Sequence, residues 1–193
     1  YRVRDGADVV TEVAGEGTDS IFSSASYTLA TGTSVEILST DTQGATAAIN
    51  LTGNALAQSI FGNAGVNQLD GGAGNDTLTG FGGADQFRFS TALNATTNVD
   101  RVTDFTVGSD KIGLATGGGA GPFGAVFFGS TTGLDASEFT IGTTAANDAT
   151  RIIYDSATGN LFYDADGTGA GAQVLFAVLS PGLALTSADF ITF

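Results

Sequence analysis

Between residues 53 and 88 an apolar side chain returns at every ninth position, as Ile60, Leu69, Leu78 and Phe87. The chain divides there, without a gap, into four units: Gly53 to Phe61 (GNALAQSIF), Gly62 to Asp70 (GNAGVNQLD), Gly71 to Thr79 (GGAGNDTLT) and Gly80 to Arg88 (GFGGADQFR). Each unit opens with glycine and carries a polar acceptor at its sixth position, Gln58, Asn67, Asp76 or Asp85. A fixed period of this kind marks a repeat architecture, and a flexible glycine-rich linker would not hold an aliphatic or aromatic residue in phase. The first six residues of a unit read as a turn and the last three as a very short strand.

Outside this window the phase loosens. Asp19-Ser-Ile-Phe, Val35-Glu-Ile-Leu and Ala48-Ile-Asn-Leu are short apolar pieces without the nine-residue period, readable as irregular coils of one solenoid or as a small β-domain of their own. Gly117 to Gly121 forms a glycine-rich break. Beyond it the pattern becomes alternation: Ile152 and Tyr154 are answered by Leu161 and Tyr163 across Asp155-Ser-Ala-Thr-Gly-Asn160, which predicts a hairpin, with a third strand over 174–179. The expected fold class is all-β, with residues 117–193 forming an antiparallel β cap over the open end of a solenoid spanning 1–116 (irregular coils 1–52, repeats 53–88, closing segment 89–116).

Composition narrows the chemistry. Twenty-nine of 193 residues are glycine, which demands many tight turns. Twenty acidic residues against six basic ones give a net charge of −14, which repels nucleic acid and anionic membranes and favours a cation as partner. Cysteine and histidine are absent, which excludes disulfides, thiolate zinc sites and the usual general base near neutral pH. No apolar run is long enough to cross a membrane. The first residue is Tyr1 rather than methionine, so a further N-terminal domain of the same protein is expected.

The third unit fits the pattern GGxGxDxUx completely and the fourth departs only by Phe81 at its second position. On these two adjacent units the chain resembles the RTX family of calcium-binding nonapeptide repeats. The resemblance implies a right-handed parallel β-roll in which two units make one coil of eighteen residues and an ion lies between turns one coil apart. Asp100-Arg-Val-Thr-Asp-Phe-Thr-Val-Gly-Ser-Asp-Lys-Ile-Gly-Leu114 resembles the segment that closes such rolls. Carbonyls turned out by glycine, together with carboxylates, make an all-oxygen cage suited to Ca2+. The candidate metal residues are Asn63, Gly65, Asn67, Gly71, Gly72, Ala73, Gly74, Asp76, Gly80, Gly82, Gly83, Asp85, Asp100, Asp104 and Asp110.

With a uniform coil, the turn of Asp85 stacks on that of Asn67 and faces the region of Asp100, while the turn of Asp76 stacks on that of Gln58 and faces residues 89–94, where no acid occurs. Gln58 and Asn67 keep an oxygen but lose a charge, so their sites are expected to be weaker or replaced by amide ladders. Asp100, Asp104 and Asp110 admit two readings, ligands at the base of the roll or solvated turn acids. The Asp164-Ala-Asp166-Gly-Thr-Gly loop reads equally as a calcium turn or an ordinary hairpin turn.

The resemblance further implies a non-enzymatic module that folds on binding calcium after export through type I secretion machinery, and hence a secreted, extracellular or cell-surface location. Asp189-Phe-Ile-Thr-Phe193 resembles the acidic-then-apolar signature of such export signals, and a plain last strand is compatible with the same residues. A surface-layer or carbohydrate-binding module is the alternative. A carboxylate-pair hydrolase is disfavoured, because neither HExxH nor GxSxG occurs.

Overall fold

Turns that recur every nine residues leave room only for strands a few residues long. The computed structural model, which describes residues 1–117, 121–124 and 133–193, has strands of two to five residues and no α-helix among those residues. They are β1 (Arg2–Val3), β2 (Ser20–Ser23), β3 (Tyr27–Thr28), β4 (Ile37–Thr40), β5 (Leu51–Thr52), β6 (Ser59–Phe61), β7 (Gln68–Asp70), β8 (Thr77–Thr79), β9 (Gln86–Phe89), β10 (Asp100–Val102), β11 (Lys111–Leu114), β12 (Phe139–Ile141), β13 (Ile152–Asp155), β14 (Asn160–Tyr163), β15 (Val174–Val178) and β16 (Phe190–Thr192). The glycine-rich break at 117–121 falls mostly on 118–120, outside the described residues.

From β2 to β11 successive strands alternate between two sheets. One sheet runs β1-β2-β4-β6-β8-β10-β15-β14-β13-β12 and the other β3-β5-β7-β9-β11-β16. Every pairing from β1 to β10 in the first, and throughout the second, is parallel. The short apolar pieces upstream of the repeats thus supply β2, β4 and β5 to the same sheets.

Because side chains alternate along a strand, the middle residue of β6, β7 and β8 points inward, and in β10 it is the flanking residues that do. Leu38, Ile60, Leu78 and Val102 stack in register in the first sheet, and Leu51, Leu69, Phe87 and Ile112 in the second. All eight are at most 1% exposed. Burying each such side chain is worth about 1.5–3 kcal/mol, which makes these two columns the main apolar support of a backbone rich in glycine.

The coil is not uniform. Ser59 pairs with Thr77 at the eighteen-residue step, but Thr77 pairs with Arg101 and Gln86 with Lys111, so the next coils are longer. The extra residues form a loop after β9, closed by the Asn94–Asn98 bridge and by Asn94 Oδ1, which accepts the backbone N–H groups of Thr96 and Thr97.

In the C-terminal section, β13 and β14 form the expected hairpin and β14 pairs antiparallel with β15. Two joins there are parallel, with β15 continuing the first sheet beside β10 and β16 continuing the second beside β11. Strand β12, not expected from the sequence, is parallel to β13.

Candidate metal centre

The sixth position of each repeat sits at the end of its turn, just before the strand, and its backbone N–H points along the stack to the following coil. Gln58 N–H donates to Asp76 Oδ1 at 2.7 Å and Asn67 N–H to Asp85 Oδ1 at 2.8 Å, both across eighteen residues. Asp76 N–H donates to Asp100 Oδ1 at 3.0 Å across twenty-four, and Asp85 N–H to Asp110 Oδ1 at 2.9 Å across twenty-five. Asp104 accepts the N–H groups of Gly80 at 3.0 Å and Phe81 at 2.7 Å.

This corrects the register drawn from a uniform period. The turn of Asp76 faces Asp100, not an acid-free stretch at 89–94, and the turn of Asp85 faces Asp110 and Asp104 rather than Asp100. The physical reason is the loop after β9, which lengthens the coil by six residues and brings the next aspartates into line.

Glycine is required where turns stack. Gly74 has φ of 114°, and a Cβ there would lie 2.8 Å from the carbonyl oxygen of Leu56 in the preceding coil. Gly83, with φ of 116°, meets the Gly65 carbonyl in the same way. Phe81 breaks the pattern, since it holds φ of 69° although it is not glycine.

Four aspartates of the stack, Asp76, Asp85, Asp100 and Asp110, are at least 95% buried. Loss of water is the first cause that raises all four carboxyls. Asp85 is pushed up to about 7, with Asp110 and Asp104 adding repulsion against the Asn67 N–H bond that favours its charge. Asp76 and Asp100 form a tightly coupled pair, and both are raised, with the charge of Asp70 adding to each. Asp76 Oδ2 is buried and receives no hydrogen bond from an N–H or hydroxyl donor, and the carboxyl of Asp100 lies within reach of the Asp76 carboxyl. Asp100 borders a cavity of about 10 Å3 shared with Gly72, Thr91 and Asn98.

Such an arrangement lacks positive charge. Lys111 eases Asp110 alone, no cation is among the charges that act on Asp76, Asp85 or Asp100, and an unpartnered buried carboxylate oxygen costs several kcal/mol of lost hydration. Among the described residues no group of three or more His, Cys, Asp or Glu side chains converges on a metal position. A cation held here would therefore take one or two carboxylates and complete its shell from backbone carbonyls, the donor set that hard cations prefer. The residues fit such an ion.

The remaining candidates divide. Asn63 and Asn67 are fully buried, but they enter the gap between turns with amide donors as well as oxygens. Asp164 Oδ1 accepts the N–H groups of Asp166 and Gly167, and Asp166 accepts that of Gly171, so this loop spends its carboxylates on closing a turn. Asp70 was missed: it occupies the ninth position, which the repeat pattern leaves free, yet its charge acts on both Asp76 and Asp100 and its Oδ1 accepts the Gly72 N–H at 3.0 Å. Only the coil-to-coil stacking, invisible in a nine-residue pattern, places it there.

No curated protein matches the chain. Residues 61–90 match the RTX calcium-binding nonapeptide repeat (4 copies), a structural and non-catalytic module. This stretch, with its stacked glycine turns and buried aspartates, consists of RTX repeats, and the ion that such repeats bind is Ca2+.

Proposed function

We propose that the chain is the calcium-responsive module of a larger secreted protein, whose calcium-binding coils are unordered where calcium is scarce and fold after export through type I secretion machinery. In this reading residues 1–116 wind as a right-handed β-roll, residues 117–193 close its end, and Asp189 to Phe193 carry the export signal. The residues that hold the ions are Asp76 and Asp100 with the carbonyl-bearing turn Gly71, Gly72, Ala73 and Gly74, and Asp85, Asp104 and Asp110 with Gly80, Gly82 and Gly83. Calcium supplies the positive charge that the site lacks.

The observation that carries this reading is the orphaned, buried Oδ2 of Asp76, on a turn whose backbone N–H is already bonded to Asp100. Without a divalent ion the folded stack must bury acids whose ordinary state is charged, so binding and folding form one equilibrium. Far-UV circular dichroism in EDTA and then in millimolar calcium tests it. The expected result is a gain of β signal on adding calcium, and a folded spectrum that calcium leaves unchanged would sink the reading.

One surface feature favours a second reading, a carbohydrate-binding or surface-layer module. Phe81 is 46% exposed in a left-handed conformation and stacks on Phe61 with ring centroids 6.3 Å apart. Calcium-dependent retention on a glycan array, lost in Phe81→Ala, would raise it above the first.

A further inference from the structure

In the first two repeats, side-chain amides occupy the positions that lack a donor in the third and fourth. Asn67 Oδ1 accepts the Asn63 N–H at 2.8 Å, and Asn67 Nδ2 donates to Ile49 O at 2.8 Å and to Asn63 Oδ1 at 3.1 Å. Asn63 Nδ2 donates to Ala47 O at 2.9 Å, and Asn63 Oδ1 accepts the Gly65 N–H at 2.8 Å. One repeat earlier, Asn54 Nδ2 donates to Ala30 O at 3.0 Å and Thr33 O at 2.8 Å, while Gln58 Nε2 donates to Asn54 Oδ1 at 2.9 Å. The orientation of these amides is fixed by their partners, because a carbonyl can only accept and the atom facing it must be nitrogen.

The consequence is chemical. The carbonyls of residues 30, 33, 47 and 49 already receive N–H donors from the next coil, and those hydrogens stand where a cation would need to approach the same oxygens. No buried nitrogen or oxygen of Asn54, Gln58, Asn63 or Asn67 is left without a partner. The amides are neutral, so stacking them brings no repulsion. In the later repeats the second position holds Gly72 or Phe81, which offer no side-chain donor, and the sixth holds Asp76 or Asp85, which when ionised only accept.

We propose that calcium dependence is divided along the stack: the coils before Gly71 are cross-linked by asparagine and glutamine amides and hold together without the ion, and the coils from Gly71 to Thr116 assemble on them only when calcium is bound. The inference rests on the calcium reading of Asp76, Asp85, Asp100 and Asp110 and adds to it which part of the chain obeys calcium. The amide-bearing coils then act as a preformed end with the register already set, so calcium completes a fold rather than nucleating one.

Hydrogen exchange read by mass spectrometry on the whole chain, in EDTA and in millimolar calcium, tests this. Strands β4 to β7 are expected to stay protected in EDTA, while β8 to β11 exchange freely there and slow by at least a hundredfold in calcium. Loss of protection in both sets in EDTA, restored in both by calcium, would overturn the division and leave the calcium reading standing. Equal protection of both sets with and without calcium would overturn both. A gain-of-site variant gives the second arm: Asn63→Gly with Asn67→Asp turns the second repeat into a full GGxGxDxUx unit. Its calcium stoichiometry by calorimetry should rise by one, and β6 and β7 should lose at least tenfold of their protection in EDTA. An unchanged stoichiometry with unchanged protection would overturn the role given to the amides.

Discussion

At the scale of single residues, Asp76 carries opposite obligations in the metal-free and metal-bound chain. Its Oδ2 is buried and unpartnered, so in EDTA the carboxylate opposes folding; with calcium the same oxygen is a ligand. Asp76→Asn should therefore move the two states in opposite directions. In EDTA the variant gains structure by circular dichroism, because the neutral amide needs less hydration; in calcium titrations it binds about tenfold or more weakly, roughly 1.4 kcal/mol, because a charged ligand is lost. A variant that is weaker in calcium and no better folded in EDTA would show that Asp76 is not the source of the penalty. Leu78, on the adjacent strand and fully buried, behaves conventionally: Leu78→Ala should destabilise the calcium-bound fold by about 2–5 kcal/mol in urea denaturation, whatever happens to affinity. Both positions were legible in the sequence, since their roles follow from place within the repeat. Asp70 was not, because its importance arises from the neighbouring coil rather than from its own unit.

At the scale of elements, the sequence announced the strands better than their partners. The alternation at 152–163 predicts a hairpin, with a third strand over 174–179, and the structure forms them as β13, β14 and β15, the last ending at Val178. Nothing in that alternation says that β15 lies parallel to β10, or that β16 lies parallel to β11, since a strand's pattern records which face is buried and not what lies at its edge. The loop after β9 likewise reads only as a break in period, yet it decides which aspartates meet. The docking of β16 depends on a few polar ties. Asp189 Oδ1 accepts the Gly108 N–H at 3.0 Å, Lys111 Nζ donates to Ala188 O at 2.8 Å, and the Arg88 guanidinium lies 3.6 Å from the centre of the Phe193 ring. Asp189 Oδ2 also accepts the N–H of Thr186 at the start of the turn before the strand. Asp189→Ala should cost about 0.5–2 kcal/mol, as the loss of a cap does, and raise hydrogen exchange in 190–193 before any other strand frays. Uniform exchange along the second sheet would show that β16 has no local stability of its own.

At the scale of the whole molecule, proton and calcium compete for the same buried carboxylates, and the sign of the effect is set by the direction of their shifts. Asp76, Asp85 and Asp100 have folded-state pKa values raised above the ordinary 3.8, in the case of Asp85 to about 7. An acid raised on folding stabilises the metal-free fold fully below its unfolded value, and that stability is lost as pH rises through the folded one. In EDTA the chain should therefore be most ordered near pH 4 and lose structure progressively up to about pH 8, with little further change above it. Calcium reverses the dependence. At pH 6 the ion must displace protons that the metal-free fold retains, so apparent affinity should climb between pH 6 and about pH 8 and then level. The release is directly measurable: calorimetric titrations at pH 6 in two buffers of different ionisation enthalpy should give different apparent heats, from which protons released per ion follow, and the difference should shrink at pH 8.5. Equal heats in both buffers at pH 6 would mean that the carboxylates facing one another along the stack are already charged, and that the penalty calcium relieves is repulsion alone rather than repulsion with burial.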